Sequence, residues 1–244
     1  MPAHKILVIN PNTTSAMTDA LKPLINGLKY ENTTFTFYTA PSGVPSINNE
    51  DDAAVSLNGC SPSLLPYLPT HDAFLVCCYS KHPLVDHLRE SLATVGLQHK
   101  PVTGIFEASV SSALQSIGMH ERFGIVSTGS QWQGILNDAV YAYLGSASSS
   151  RFTDTATTGL DADQLHKAPK EELETRMKDA TKSLLAAGAR AICLGCAGMA
   201  GMDEIVRKAC VEEFGEMEGK KIVIVDGVIA GAIWLDGMLR ATRQ

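Results

Sequence analysis

Ala73-Phe-Leu-Val-Cys-Cys78 and, 118 positions further on, Ala191-Ile-Cys-Leu-Gly-Cys196 are two short apolar runs, and each ends on a cysteine. Neither alternates apolar with polar residues, so each reads as a parallel strand buried on both faces. Six more runs read as strands, most of them near-continuously apolar: Lys5–Asn10, Phe35–Ala40 and Val102–Glu107 around the first, and Phe123–Ser127, Arg151–Ala156 and Lys221–Asp226 around the second. Helical periodicity lies between them, at Thr14–Ile25, Pro83–Val95, Gln131–Leu144 and Lys170–Ala187. Strands alternating with helices predict an α/β fold with parallel sheets.

The two sets form a repeat. Leu84 and Met202 both lie six residues after their cysteine, Asp86 and Glu204 eight, and Arg89 and Arg207 eleven. Asn10 aligns with Ser127 at nearly the same offset, and VTGIFEASVSSA aligns with IVIVDGVIAGA so that Glu107 falls on Asp226. A nearly constant offset over four strands implies two pseudo-equivalent halves, each built around one cysteine. The second half is expected to interrupt the first: residues 1–100 with 216–244 form one domain and residues 101–215 the other, the last strand and helix returning to the first sheet. Ala147–Ser150 reads as a surface loop.

Composition narrows the function. The chain has 244 residues, 45% hydrophobic and 19% charged, with a net charge of −6. It carries no lysine or arginine run, so the basic stripe a nucleic-acid binder needs is missing. No apolar run reaches membrane-spanning length. Met1 is followed almost at once by a strand, which leaves no room for a signal peptide and predicts a cytoplasmic protein. Six cysteines in that compartment read as thiols rather than disulfides.

Ligands of open parallel sheets bind beyond the carboxyl ends of the strands. Asn10–Thr14, Cys78–Ser80, Ser127–Gly129 and Cys196–Gly198 are the small or polar segments found there. A pseudo-twofold relation of the halves predicts Cys78 and Cys196 facing each other across a cleft, sulfurs roughly 7–9 Å apart, each within reach of one face of the same carbon. A thiolate on one face and a thiol on the other invert an acidic carbon in both directions without a cofactor. Both cysteines precede a helix, near Pro83 and near Met199, whose N–H groups lower a thiol pKa and hold an enolate oxygen.

A strand-end cysteine taken singly is most often a small buried hydrophobe. The matched pair is what argues for catalysis. Cys60 and Cys210 have no counterparts and read as structural, and Cys77 should point away from Cys78 into packing. Cys193-Leu-Gly-Cys196 has the spacing of a redox motif, but residues three apart on a strand diverge, and further ligands for a zinc site are absent. No metal site and no phosphate loop is expected. His82, four residues after Cys78, is either a group that polarises the thiol or a solvated loop histidine, and the second is preferred; Lys81 is similar. Asn10, Asn12, Thr13 and Thr14 suit a helix cap, a role compatible with ligand contact.

VINPNTT at 8–14, DAFLVCCYS at 72–80, RFGIVST at 122–128 and LGCAGM at 194–199 resemble the Asp/Glu/hydantoin racemase superfamily, and within it the hydantoin and allantoin racemases. The resemblance covers nearly the whole chain. It implies two flavodoxin-like domains with the active site in a cleft between them, catalytic thiols at Cys78 and Cys196, and homo-oligomers. It also implies substrate contacts from Asn10, the Pro45, Ser46 and Ile47 loop, Tyr79, Ser80, Ser127, Thr128, Ala197 and Gly198. The glutamate and aspartate racemases carry Asp-Ser-Gly after the first strand, and Asn-Thr or Thr-His after the cysteines. Here those places hold Asn-Pro-Asn, Tyr-Ser and Ala-Gly, so the groups that grip an ammonium and a carboxylate are missing, which favours a neutral cyclic ureide. The Tyr79-Ser80-Lys81-His82 segment is closer to fungal-type members than to the bacterial Phe-Gly-Asp. The competing expectations are an arylmalonate decarboxylase-like or maleate isomerase-like enzyme on the same fold, and a non-catalytic small-molecule-binding protein. The first of these keeps one catalytic cysteine and the second keeps two.

Overall fold

The computed structural model describes residues 4–165 and 167–241. The first eight elements are β1 (His4–Asn10), α1 (Ser15–Asn26), β2 (Thr33–Thr39), α2 (Glu50–Leu64), β3 (Ala73–Val76), α3 (Pro83–Thr94), β4 (Val102–Gly104) and α4 (Ile105–Ser116). The alternation then repeats as β5 (Arg122–Ser127), α5 (Trp132–Tyr143), β6 (Phe152–Thr157), α6 (Lys170–Ala186), β7 (Ala189–Leu194), α7 (Asp203–Gly219), β8 (Val223–Asp226) and α8 (Gly227–Ala241).

The strands form two four-stranded sheets, in the orders β2-β1-β3-β4 and β6-β5-β7-β8. Every pairing is parallel. Each order is that of a doubly wound flavodoxin-like sheet, in which the chain turns back between its first and third strands. The sequence accounts for the placement. The inner strands are unbroken apolar runs: Ile6, Leu7, Val8 and Ile9 of β1, like Phe74, Leu75 and Val76 of β3, are wholly buried. The edge strands β2 (TTFTFYT) and β6 (FTDTAT) intersperse threonines and are only partly buried. Helices cover both faces of a sheet in this fold, and β-branched runs without alternation fit only such a two-sided burial.

Two compact units result: Met1–Ala108 with Val228–Gln244, and Ser109–Gly227. The expected boundaries at 100 and 216 therefore move. β8 does not return to the first sheet; it pairs with β7, with Leu194 beside Asp226. Only α8 rejoins the first unit. There Thr33 Oγ1 donates to Asp236 Oδ1 at 2.5 Å, Arg240 Nε donates to the same carboxylate at 2.7 Å, and the backbone at Gly231 comes so close to Leu75 that a Cβ would strike its side chain. β4 ends at Gly104, not Glu107, because Glu107 sits in the first turn of α4. An acidic side chain suits that helix end. Gly104 stands beside Val76 as Asp226 stands beside Leu194, so Gly104, not Glu107, is the equivalent of Asp226.

Each unit has its own apolar core. Leu7, Ile9, Phe74, Val76, Leu84, Leu88 and Leu92 pack with Cys60 in the first. Val126, Met177, Leu184, Ile192, Leu194 and Val206 pack with Cys210 in the second. Cys60 and Cys210 are thus packing residues.

Candidate active site

Where a doubly wound sheet reverses direction, two adjacent strands send their following loops to opposite faces and leave a crevice at their carboxyl ends. In the first unit that crevice lies between β1 and β3. Its walls are the loops Asn10–Thr14 and Cys78–His82. In the second it lies between β5 and β7, walled by Ser127–Thr128 and Cys196–Gly198. Cys78 is the second residue beyond Val76, the end of β3, and Cys196 the second beyond Leu194, the end of β7. The sequence repeat therefore places both thiols at the same point of equivalent sheets.

Around Cys78 the chain makes a compact turn. Cys77 continues the ladder, its N–H donating to the Ile9 carbonyl at 2.8 Å, and its side chain is buried. Cys78 is half-buried, with Sγ 3.6 Å from Ser80 Oγ. Ser80 N–H donates to the Cys78 carbonyl at 3.1 Å and His82 N–H to the Ser80 carbonyl at 2.8 Å. Tyr79 turns its ring edge-on to Phe106, with centroids 5.7 Å apart. Lys81 is exposed.

His82 is not a solvated loop residue. It is 2% exposed and caps α3, its Nδ1 accepting the Leu84 N–H at 3.2 Å. Burial pushes its pKa down to about 4, so it is neutral near pH 7. The cap also overturns one expectation: the Leu84 amide goes to His82 Nδ1 and the Val85 amide to the His82 carbonyl at 3.1 Å, leaving neither for the thiol. The overlooked signal was the Pro after His82. Proline at the first helical position makes the residue before it a cap.

The loop after β1 is held from within. Asn10 is 2% exposed, and its Nδ2 lies 3.0 Å from Asn12 Oδ1, 3.1 Å from the Thr14 carbonyl and 3.0 Å from Thr18 Oγ1. Its Oδ1 accepts the Asn12 N–H at 3.2 Å. Asn10 is therefore committed to shaping the loop. Thr14 precedes α1 but makes no side-chain cap; its Oγ1 donates instead to the Pro45 carbonyl at 2.7 Å, while Thr13 N–H donates to the Val44 carbonyl at 3.0 Å. These bonds bring the Pro45–Ile47 loop to the same crevice. Ser46 Oγ donates to Asn48 Oδ1 at 3.3 Å, and Ile47 is buried.

In the second unit Gly195 sets the geometry. A Cβ there would lie 2.6 Å from Ile125 Cγ2 and 2.7 Å from the Val126 carbonyl oxygen, so only glycine lets β7 run this close to β5. Gly195 N–H donates to the Val126 carbonyl at 2.7 Å and Ser127 Oγ donates to the Gly195 carbonyl at 2.9 Å. Ser127 and Thr128 are both buried, and their carbonyls accept the Thr158 and Gly159 amides. Cys196 then adopts extended backbone and caps a short 3-10 turn, Ala197–Met199. Its Sγ accepts the Gly198 N–H at 3.3 Å. Burial pushes the Cys196 thiol up to about 11, against the opposing pull of the Gly198 and Met199 amides. The helix expected near Met199 begins only at Asp203, so the donor to sulfur is the tight turn rather than a long helix.

No disulfide joins Cys193 to Cys196: Cys193 is buried with its sulfur 3.7 Å from the Ser109 carbonyl, while Cys196 is half-buried in the loop. Among the described residues no group of three His, Cys, Asp or Glu side chains is arranged to hold a metal ion.

Residues 6–233 match the sequence profile of the family described as Asp/Glu/Hydantoin racemase. An uncharacterised protein of Schizosaccharomyces pombe is 35% identical over 238 residues, 97% of this chain and 92% of the relative. A hydantoin racemase of Pseudomonas sp. (strain NS671) is 28% identical over 93% of this chain and 82% of its own. Among solved structures, an allantoin racemase from Pseudomonas fluorescens superposes with a TM-score of 0.77 at 25% identity, covering 97% of this chain and 91% of that one.

Proposed function

Because the chain belongs to the Asp/Glu/hydantoin racemase family, in its hydantoin and allantoin branch, we propose that it is a cofactor-independent racemase of 5-substituted hydantoins or allantoin, with Cys78 and Cys196 as its two acid–base groups. The observation that carries this reading is the equivalence of the two thiols. Each lies two residues beyond the third strand of its sheet, at the crevice where such a sheet binds its ligand.

The chemistry follows from the acidity of the ring carbon next to a carbonyl. A thiolate removes its proton, and the bonding pair moves onto the carbonyl oxygen as an enolate. The thiol on the other face returns a proton to the carbon as the pair moves back. Cys196, pushed up to about 11, enters as the thiol donor, which gives Cys78 the thiolate role in that direction. Reversal exchanges the roles. The Gly198 and Met199 amides then stabilise the Cys196 thiolate as it forms.

Substrate contacts come, in this proposal, from Tyr79, Ser80, Thr128, Ala197, Gly198 and the Pro45–Ile47 loop, with Asn10 and Ser127 holding those loops in place. A homo-oligomeric assembly is part of the same proposal.

The test is incubation of the purified protein with enantiopure allantoin and 5-alkyl hydantoins in D2O, followed by polarimetry and deuterium incorporation. Loss of optical rotation with deuterium at the inverted carbon is the expected result. Turnover of an arylmalonate or of maleate with no racemisation of any ureide overturns the reading.

A further inference from the structure

We propose that His82 is a substrate-engaging hydrogen-bond donor: its Nε2–H meets a carbonyl oxygen of the bound ureide when the Cys78–His82 turn shifts on binding. This rests on the ureide racemase reading given above and extends it to a residue that neither the sequence repeat nor the paired cysteines indicate.

Three observations carry it. First, the tautomer is fixed. Nδ1 accepts the Leu84 N–H at 3.2 Å, so the ring proton of the neutral imidazole is on Nε2. Second, that nitrogen is enclosed and has no hydrogen-bond partner, although the residue is 2% exposed. The turn itself offers none: the Cys78 carbonyl takes the Ser80 amide and the Ser80 carbonyl takes the His82 amide. A buried donor without an acceptor costs stability in the free protein. Third, the structural duty of this position needs only an acceptor for the Leu84 amide, which Asn, Asp, Ser or Thr supplies without a surplus N–H. The second ring nitrogen is thus superfluous to the cap and unfavourable in the resting turn.

The position gives it a use. His82 closes the turn that begins at Cys78, on the wall of the first-unit crevice. A cyclic ureide brings carbonyl oxygens there, and one of them gains negative charge as the enolate forms. A neutral donor strengthens on that oxygen as the charge grows, and it does not protonate the enolate outright, because burial keeps the ring from ionising near pH 7. Because Nε2 is enclosed in the free protein, engagement requires the turn to move, so substrate arrival and the placement of Cys78 are coupled.

The discriminating variant is His82→Asn, whose side-chain oxygen takes the Leu84 amide while the Nε2–H is lost. Its circular dichroism at pH 7 should match the wild type and its melting temperature should not fall, while kcat for a 5-alkyl hydantoin falls about a hundredfold and KM changes by less than about threefold. A merely structural histidine would lower the melting temperature on replacement and leave kcat of the folded protein alone. The second measurement uses the wild-type protein, so it stands even if the variant does not fold. With 15N-labelled histidine and the inert probe 5,5-dimethylhydantoin, which has no proton on C5 to lose, the His82 Nε2–H resonance should move downfield and exchange more slowly with water. Wild-type kinetics in a folded His82→Asn protein, or an Nε2–H resonance unmoved by saturating probe, overturns the assignment of His82 alone. A wild-type protein that racemises no ureide overturns the functional reading and this assignment with it.

Discussion

Cys78 and Cys77 are neighbours, yet opposite effects are expected on replacing them. Cys78→Ser and Cys196→Ser should each lower racemisation by at least about a hundredfold with the fold intact, since a hydroxyl is a far weaker acid than a thiol and does not ionise near pH 7 to serve as the base. The double variant should be scarcely worse than either single, because the two thiols act as one unit. Cys77→Ser, buried just past β3, and Cys193→Ser, buried within β7, should keep most activity. Kinetics with circular dichroism on the four proteins checks this, and a dead Cys77→Ser beside an active Cys78→Ser would sink the assignment. His82 adds a prediction about acid. The unfolded chain binds its proton near pH 6.5, whereas the folded chain holds out to about 4. Stability from this group is therefore full above about pH 6.5 and falls by up to about 3 kcal/mol as the pH drops to about 4. His71, also lowered by burial, acts in the same sense. Denaturant melts between pH 4 and 7 should show the loss, and His82→Asn should flatten much of it. The thiol pair was legible in the sequence because a repeat offset survives one-dimensional reading. The burial of His82 was not, since a histidine beside a lysine looks solvent-facing until the helix it caps is placed.

Elements followed the sequence where hydrophobic period decides them, and departed where a single contact does. α1, α3, α5 and α6 fall within one residue of the amphipathic stretches that predict them. α2 could be given no bounds from the sequence: its Gly59 and Pro62 weaken the helical signal, and the helix rests on an Asn49 cap, whose side chain accepts the Asp52 amide at 2.8 Å, and on three acidic residues in its first turn. β4 was read too long because Ile105 and Phe106 are as apolar as a strand, and only the placement of Glu107 at a helix start separates the two outcomes. The approach of β7 to β5 at Gly195 was also hidden, as a glycine before a cysteine carries no pattern. Its consequence is testable. Gly195→Ala forces a methyl onto Ile125 and the Val126 carbonyl, which should destabilise the protein by about 1–3 kcal/mol. It should also reduce activity in the protein that remains folded, because the shift displaces Cys196. Denaturant melts paired with kinetics read both effects, and a variant as stable and active as the wild type would refute the close approach.

At the scale of the whole chain, the repeat read from sequence corresponds to two sheets of identical strand order, and the family profile spans both. The boundaries were misplaced because strands and helices part company at the return. β8 stays with the second sheet while α8 goes back to the first. A pattern of apolar runs predicts that a strand exists, but not which edge it joins. The prediction at this scale is that residues 109–227, expressed alone, form a folded piece with protected β5 and β7 amides, since that unit contains its own sheet and core. Hydrogen exchange on the fragment would decide it, and full exchange within seconds would show that the unit depends on the rest of the chain.

The return of α8 also bears on how the protein comes off the ribosome. The strands of the first sheet are made before the second unit, and the helix that meets Leu75 and Thr33 is made after it. During synthesis the second unit therefore has its full complement of strands and helices while the first still lacks part of its cover. A released chain cut before residue 228 contains every strand of the second unit but lacks the last helix of the first, inverting the usual order in which the amino-terminal part is complete first. The flank of the first sheet around Leu75 is then the surface a chaperone has to shield until α8 docks on it.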